Sequence, residues 1–338
     1  MRIMIAAGGT GGHIYPGIAI AEELKGNEIL FIGSREGLEG DIIRREGFRI
    51  ILIHARGLLR KISYKAISAP FMTIIGFFEA LGALFSFKPK MLVVTGGYVS
   101  FPVIAAAIIL RIPFLLHEEN VLPGVTNRFW HKYAKIVTLS FAETTRYMNG
   151  IVTGNPVRKK ILGLKKVSGQ RKTVTIIGGS QGARSINKAL ISQIESLKDF
   201  EIYHIIGNRD FNLMELPRLT FYHPLAYVYN MDELFAKSDL VVSRAGATAI
   251  SEILACGLPS ILIPFPYSAE GHQDLNAAIL RDAGAAEVLP DKEAFRLPEM
   301  INSILSNDKK MKEMGNSAAK MAKRNAGRKI VDLIYAVS

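Results

Sequence analysis

The sequence predicts an α/β protein built from two doubly wound parallel-sheet domains, and three observations carry that prediction. Short apolar or β-branched runs alternate with longer helical stretches, the pattern of βαβ units whose sheet is covered on both faces. A second series of the same kind begins near Thr173. Shifting the chain by 170 positions lays Gly8-Gly9-Thr10-Gly11-Gly12 over Gly178-Gly179-Ser180-Gln181-Gly182, each after an apolar strand and before a helix.

Taken in order, the first series predicts strands over 3–7, 29–32, 91–95, 114–117 and 136–139. The second predicts strands over 173–177, 201–206, 240–243, 260–263 and 286–289. Between them, residues 154–172 read GNPVRKKILGLKKVSGQRK, whose last fifteen residues carry seven basic side chains and no acidic one. That composition suits a linker, or simply a solvated basic loop. The tail from Lys309 to Ser338 reads as helical, with Gly315 and Gly327 as interruptions. The expected domains are 1–157 and 158–321, with a last helix over about 322–338 packing back on the first.

A chain of 338 residues, 49% hydrophobic and 21% charged, describes a packed globular protein of two domains. The lone cysteine, Cys256, allows no internal disulfide, and MRIMIAAGG runs into a strand where a secretory leader would need a longer apolar stretch. Both features fit a reducing cytoplasm. The formal net charge of +12 points to a polyanionic partner: nucleic acid, anionic lipid or a phosphorylated substrate. No RNP-like aromatic strand, zinc-finger spacing or basic zipper is present, which argues against nucleic acid.

Four glycines in the five residues Gly8 to Gly12 cannot be filling a core, because glycine packs nothing and costs backbone entropy. A glycine-rich turn opening a helix presents free N–H groups and the positive end of a helix dipole, which suits a phosphate or a sugar carrying one. Neither turn ends in the Gly-Lys-Ser/Thr of a nucleoside-triphosphate loop. A dinucleotide site is disfavoured too, because the third glycine is absent and Gly33-Ser34 stand where its acid belongs. Tight turns with no ligand remain the plain alternative. In SRAGATAISE, Glu252 is placed on a helix where a carboxylate can accept from a ribose diol. In PFPYSAEGHQDLNA, Gln273, Asp274 and Asn276 would suit sugar hydroxyls, or be ordinary loop residues.

The segments GGTGGHIYPG, GGYVSFP, HEENVLPGVTNR, GNPVR, GGSQGAR, SRAGATAISE and HQDLNA, in this order and spacing, resemble the MurG family over about residues 3 to 290. These bacterial enzymes add N-acetylglucosamine to lipid I during peptidoglycan synthesis. The resemblance implies a GT-B fold, two Rossmann-like domains facing across a cleft, and an inverting, metal-independent transfer from UDP-GlcNAc without a cofactor. The absence of an Asp-x-Asp motif agrees. It further implies that the C-terminal domain binds the donor: Glu252 at the ribose, Val228 at the uracil, and Ser180, Gln181, Gly182 and Arg244 at the diphosphate and sugar. Gln273 and Asn276 would stand at the GlcNAc hydroxyls and Arg158 at the hinge, with Thr10, Gly11, Gly12 and Asn120 also on the donor side. Gly11, Gly12, His13, Gly96 and Gly97 would face the acceptor diphosphate.

The acceptor nucleophile implied is the C4 hydroxyl of N-acetylmuramic acid, which needs a base as UDP leaves. His13 is the candidate, since imidazole titrates near neutrality; it could instead bond within its loop or bind phosphate. Glu119 and Asp274 are lesser candidates, and His117 reads as a satisfied strand-end histidine. Where the family usually has His-Glu-Gln-Asn, this chain has His117-Glu118-Glu119-Asn120. Glu119 is expected to be a tolerated side chain on the cleft rim, the alternative being that it changes the acceptor contacts.

Residues 66–87, AISAPFMTIIGFFEALGALFSF, form the longest nearly uncharged run, long enough to span a bilayer but interrupted by Pro70 and Glu79. An interfacial patch fits better, with Ile74, Ile75, Phe77 and Phe78 entering the headgroup boundary and Arg56, Arg60, Lys61 and Lys65 beside anionic lipid. The expected location is the cytoplasmic face of the inner membrane, peripherally attached, beside other cell-wall synthesis proteins. Two other readings are a related glycosyltransferase acting on another lipid, such as diacylglycerol, and a non-catalytic nucleotide-sugar-binding protein.

Overall fold

The computed structural model describes residues 1–56, 64–167, 169–179 and 182–337, except the side chains of 64–70. The chain divides into two units, one formed by Met1–Arg158 with Lys323–Ser338 and the other by Lys159–Ala322.

The first unit is a seven-stranded sheet. Its strands are β1 (Arg2–Ala7), β2 (Glu28–Ser34), β3 (Arg49–Ile53), β4 (Met91–Gly96), β5 (Phe114–Glu118), β6 (Ile136–Leu139) and β7 (Ile151–Val152), in the order β3-β2-β1-β4-β5-β6-β7. Every pairing is parallel, so β1 lies between β2 (Ile3 opposite Ile29) and β4 (Ile3 opposite Met91). The second unit repeats the plan with β8 (Thr173–Ile177), β9 (Glu201–Ile205), β10 (Tyr222–Leu225), β11 (Leu240–Ser243), β12 (Ser260–Leu262) and β13 (Ala286–Val288), in the order β10-β9-β8-β11-β12-β13. Both are doubly wound sheets whose first strand sits at the centre, beside the switch point where such folds place ligands. The central runs 3–7, 91–95, 240–243 and 260–262 are buried on both faces, as parallel sheets require.

Three strands escape the sequence reading. The two-residue β7 is exposed at the sheet edge, β3 is a half-buried edge strand, and β10 contains Pro224. A proline in a strand argues against it unless the strand is an edge, and β10 is one.

The 170-residue repeat is visible in the backbone. Gly9 and Gly179, equivalent under that shift, both hold positive φ, +96° and +87°. Only glycine adopts that conformation without strain, and it turns the chain from strand to helix.

Two expectations need correction. Gly315 and Gly327 do not interrupt helices: they lie inside Asp308–Met321 and Ala326–Ala336, and the break falls at residues 322–325. A Cβ at Gly315 would press on the Gly257 carbonyl, and one at Gly327 on Glu23, so both glycines serve close packing. Residues 154–172 are not simply a solvated linker either. Asn155 and Arg158 are buried in the first unit, a short helix occupies Lys159–Leu162, and Lys166 pairs with Asp239 at 2.8 Å.

The helix Ala326–Ala336 packs Ile330, Val331 and Ile334 among Ile3, Ile14, Ile18 and Met91 of the first unit. Each core also buries a histidine. His117 bonds Thr138 Oγ1 at 2.9 Å and Asn155 Oδ1 at 3.0 Å, and His204 bonds Tyr222 Oη at 2.9 Å and Asn187 Oδ1 at 3.0 Å. Burial disfavours the imidazolium and lowers His117 to about 4 and His204 to about 3.

Ile330→Ala should cost about 2–5 kcal/mol in denaturant unfolding; an unchanged midpoint would show that the last helix adds nothing to the first unit. Below the ordinary histidine value of 6.5, the unfolded chain takes up protons that folded His117 and His204 refuse. Stability should therefore fall as pH drops from 6.5 toward 4. Proton NMR should show both rings neutral at pH 5; a ring titrating near 6.5 would refute this.

Candidate active site

In the first unit the turn between β1 and the helix Gly11–Glu23 is tied from beneath by a buried acid. Glu39 Oε1 accepts from Gly9 N at 3.0 Å and from Ser34 N at 2.9 Å, fixing the ends of β1 and β2 together. The sequence reading missed Glu39. Its signal was the pair of glycines around it, since a Cβ at Gly33 or Gly37 would strike the Glu39 side chain.

His13 stands in the first turn of that helix. Its Nδ1 lies 3.1 Å from the Thr95 carbonyl oxygen and 3.1 Å from Glu119 Oε2, and Thr95 Oγ1 donates to the His13 carbonyl at 2.7 Å. A carbonyl only accepts, so Nδ1 carries a proton and Nε2 is the second nitrogen, with no hydrogen bond among the described residues. Gly96 and Gly97, both at positive φ, make room for this arrangement. A Cβ at Gly96 would meet the imidazole, and one at Gly97 would strike the Gly8 carbonyl.

Glu119 is not on a rim. It is 3% exposed, and its partner is His13, because β5 ends at Glu118 and the chain turns inward beneath the imidazole. Burial alone would lower His13, but Glu119, with Glu118 behind it, outweighs that and raises it to about 9. Burial raises Glu119 to about 7 against the pull of His13. Glu118 holds the following loop: Oε1 accepts from Asn120 N at 2.9 Å, and Oε2 from Gly124 N at 3.1 Å and Asn127 Nδ2 at 2.7 Å. Asn120 is thereby fixed on the same loop as Glu119. His117 is the satisfied strand histidine described above. Arg158 lays its guanidinium 4.0 Å over the Tyr15 ring, one turn beyond the glycines.

In the second unit, Gly182 N closes the turn on Gly179 O at 3.0 Å, and a Cβ at Gly182 would strike the Ile206 carbonyl at the end of β9. Ser180 and Gln181 lie outside the described residues. The helix Arg184–Ile191 follows, with Arg184 bonded to buried Asp210 at 3.3 Å. Arg244 stands at the end of β11. It donates to the carbonyls of Ile263 (3.1 Å) and Pro264 (3.2 Å), to Asp291 Oδ1 (2.6 Å) and to Ser185 Oγ (3.1 Å). Its charge is thus answered by Asp291, and its geometry ties the ends of β11 and β12 to the helix after the glycine turn.

Asn276 is fully buried and donates to the Ala245 carbonyl at 3.1 Å, and Gln273 Oε1 accepts from Phe265 N at 2.9 Å. Glu252 lies buried on the helix Ala247–Ala255, which Gly246 precedes as its N-cap. Val228 is half-buried in the loop after β10, between Tyr227 and Tyr229, whose rings pack at 4.6 Å. Asp274 lies in the first turn of the helix His272–Asp282.

Among the described residues no helix is long and apolar enough to cross a membrane. The helix Tyr64–Phe87 instead has two faces. Phe71, Ile74, Phe78 and Phe85 are exposed, Phe78 by 63%, while Ala80 and Leu84 are core. Of the expected patch, Ile74 and Phe78 face outward, whereas Ile75 is half-buried and Phe77 packs on the core. Arg60, Lys61 and the side chain of Lys65 lie outside the described residues, and Arg56 is paired with Glu36.

The model of the glycosyltransferase family 28 N-terminal domain matches residues 3–139, and that of the family 28 C-terminal domain matches residues 173–330. Two curated relatives carry the name UDP-N-acetylglucosamine--N-acetylmuramyl-(pentapeptide) pyrophosphoryl-undecaprenol N-acetylglucosamine transferase. The one from Caldanaerobacter subterraneus subsp. tengcongensis is 38% identical over 100% of both chains, and the one from Thermodesulfovibrio yellowstonii is 39% identical over 98% of both. Among solved structures, Acinetobacter baumannii MurG superposes with a TM-score of 0.74 at 28% identity, covering 99% of each chain. A UDP-GlcNAc 2-epimerase from Neisseria meningitidis, at 14% identity and a TM-score of 0.68, shares the fold alone. With two Rossmann-like units of the GT-B type and family models over both, the chain is a glycosyltransferase of family 28 and belongs to the MurG family.

Proposed function

We propose that the chain transfers N-acetylglucosamine from UDP-GlcNAc to lipid I, the reaction named for its full-length relatives. The observation that carries this reading is the His13 site: an imidazole at the first glycine turn with its Nδ1 fixed and its Nε2 unbonded among the described residues. Gly11, Gly12, Gly96 and Gly97 shape the acceptor side, where Nε2 takes the proton of the C4 hydroxyl as its oxygen attacks the anomeric carbon. The bond from that carbon to the β-phosphate oxygen breaks on the opposite face, so the configuration inverts and the electron pair leaves on UDP.

The donor belongs to the second unit. Thr10, Asn120 and Arg158, in the first, are assigned to it by resemblance alone. The turn from Gly179 to Gly182 and the eight-residue helix after it offer amides and a dipole to the departing diphosphate, with Ser180 and Gln181 beside them. These donors do the work that a metal would otherwise do, which supports a metal-independent transfer. Arg244 contributes by holding the loops beneath this site. Glu252 accepts from the ribose diol, Val228 meets the uracil, Gln273 offers its amide N–H groups to the sugar hydroxyls, and Asn276 fixes the backbone at Ala245.

Lipid I is a membrane substrate, and the outward stripe of Phe71, Ile74, Phe78 and Phe85 suits the headgroup boundary of the cytoplasmic leaflet. Anionic lipid would then attract the net positive charge of the chain.

Labelled UDP-GlcNAc incubated with lipid I in detergent and EDTA should yield labelled lipid II, with kcat lowered about a hundredfold or more in His13→Ala and donor KM raised in Glu252→Ala. Transfer to diacylglycerol instead, dependence on added magnesium, or unaffected variants would each remove the corresponding part. The double change Ile74→Ser and Phe78→Ser should weaken sedimentation with anionic vesicles several-fold at an unchanged melting temperature. Undiminished binding would place the membrane contact elsewhere.

A further inference from the structure

Glu119 occupies a position that a tolerated surface residue does not. Its side chain is buried, Oε2 is 3.1 Å from His13 Nδ1, and Oε1 has no hydrogen-bond partner among the described residues. A buried carboxylate with a single polar neighbour is costly to keep unless that neighbour answers its charge. Where the MurG family usually has glutamine, an amide would offer His13 a neutral hydrogen bond and no charge.

We propose that Glu119 is a positioning residue whose carboxylate, together with the Thr95 carbonyl, locks His13 in the Nδ1–H form and reserves Nε2 for the acceptor hydroxyl. This rests on His13 being the base. During transfer the C4 hydroxyl proton moves to Nε2, the Nδ1 proton stays in place, and the imidazolium formed lies against the buried Glu119 carboxylate. The logic is that of a nucleophile–histidine–carboxylate relay with the sugar hydroxyl as nucleophile. The consequence is a stronger base that is deprotonated only at higher pH.

Within the first unit, the described groups facing the imidazole are these. Glu119 just after β5 and Glu118 at its end raise it, His117 in β5 stays neutral, the Thr95 carbonyl of β4 accepts from it, and Gly96 and Gly97 close against the ring. Arg158 lies on Tyr15, two residues along the same helix. Removing the Glu119 charge therefore leaves Glu118 as the remaining acid behind His13.

The test is Glu119→Gln, an uncharged side chain of nearly the same volume, with Glu119→Asp as the charge-retaining control. Nitrogen-15 NMR of the His13 ring in the full chain needs no substrate. It should show Nδ1 protonated and a pKa near 9 in the parent, falling by at least one unit in Glu119→Gln and recovered in Glu119→Asp. In the transfer assay, kcat/KM rises with pH as His13 deprotonates. Glu119→Gln should move that acid limb down with the NMR pKa and lower the high-pH plateau of kcat about tenfold, with donor KM unchanged. A ring that titrates identically in Glu119→Gln overturns the positioning role. A ring whose pKa falls while the acid limb stays put overturns His13 as the base, and with it the catalytic meaning assigned to Glu119.

Discussion

The carboxyl ends of parallel strands are where this architecture must solve a problem, because backbone amides leave the sheet there and need new partners. In the first unit buried carboxylates supply them. Glu39 joins Gly9 N to Ser34 N, and Glu118 gathers Asn120 N, Gly124 N and the Asn127 amide. Each acid removes orphaned donors and converts a loop into a fixed platform. His13 follows the first of those platforms and Glu119 stands at the start of the second, so the placement of the imidazole depends on acids that do not bond it. A buried carboxylate stripped of these donors would be strongly unfavourable, which makes loop and acid a single structural unit.

The internal repeat shows how one turn serves two chemistries. Gly9 and Gly179 share their backbone conformation, yet what surrounds them differs. In the first unit Glu39 already takes the Gly9 amide, and a histidine follows the glycines. In the second unit the acid after the second strand, Asp210, turns to Arg184, Arg209 and Asn187. Among the described residues, no carboxylate bonds the amides of Gly178, Gly179 or Gly182. An anion bonded to the turn amides competes with a phosphate there; in the second unit the nearby acids Asp291 and Asp210 bond the side chains of Ser185 and Arg184 instead. That contrast is a physical reason for giving the nucleotide diphosphate to the second unit.

Much of the fold was legible because central parallel strands must be apolar on both faces, so 3–7, 91–95 and 173–177 read directly. The misses are edges: β7 is too short and β10 carries Pro224, and neither obeys the rule for a buried strand. Gly315 misled because a glycine opened by a packing neighbour, Gly257 in another loop, looks in sequence like a helix break. At the site, residue types showed which loops could bind phosphate, while partners stayed hidden. Nothing in the letters HEEN tells that Glu118 grips its own loop while Glu119 turns to a histidine more than a hundred positions earlier. Arg244, placed at the diphosphate and sugar by resemblance, has its charge answered by Asp291 inside the fold, a partner the sequence does not show.

The helix Tyr64–Phe87 shows how a polar residue can decide the role of an apolar segment. Glu79 accepts from His54 N at 2.6 Å, lies 2.9 Å from His54 Nδ1 and accepts from Arg35 Nη2 at 3.3 Å. One turn earlier a Cβ at Gly76 would strike the His54 carbonyl, so the helix backbone comes down onto the end of β3. These two residues fix the rotation of the helix. With that face docked, Phe71, Ile74, Phe78 and Phe85, spaced three, four and seven apart, are forced to the other side. A carboxylate bonded to the sheet edge cannot sit at the centre of a bilayer without abandoning those partners. The same contacts that keep the segment from spanning are the ones that turn its aromatic face outward.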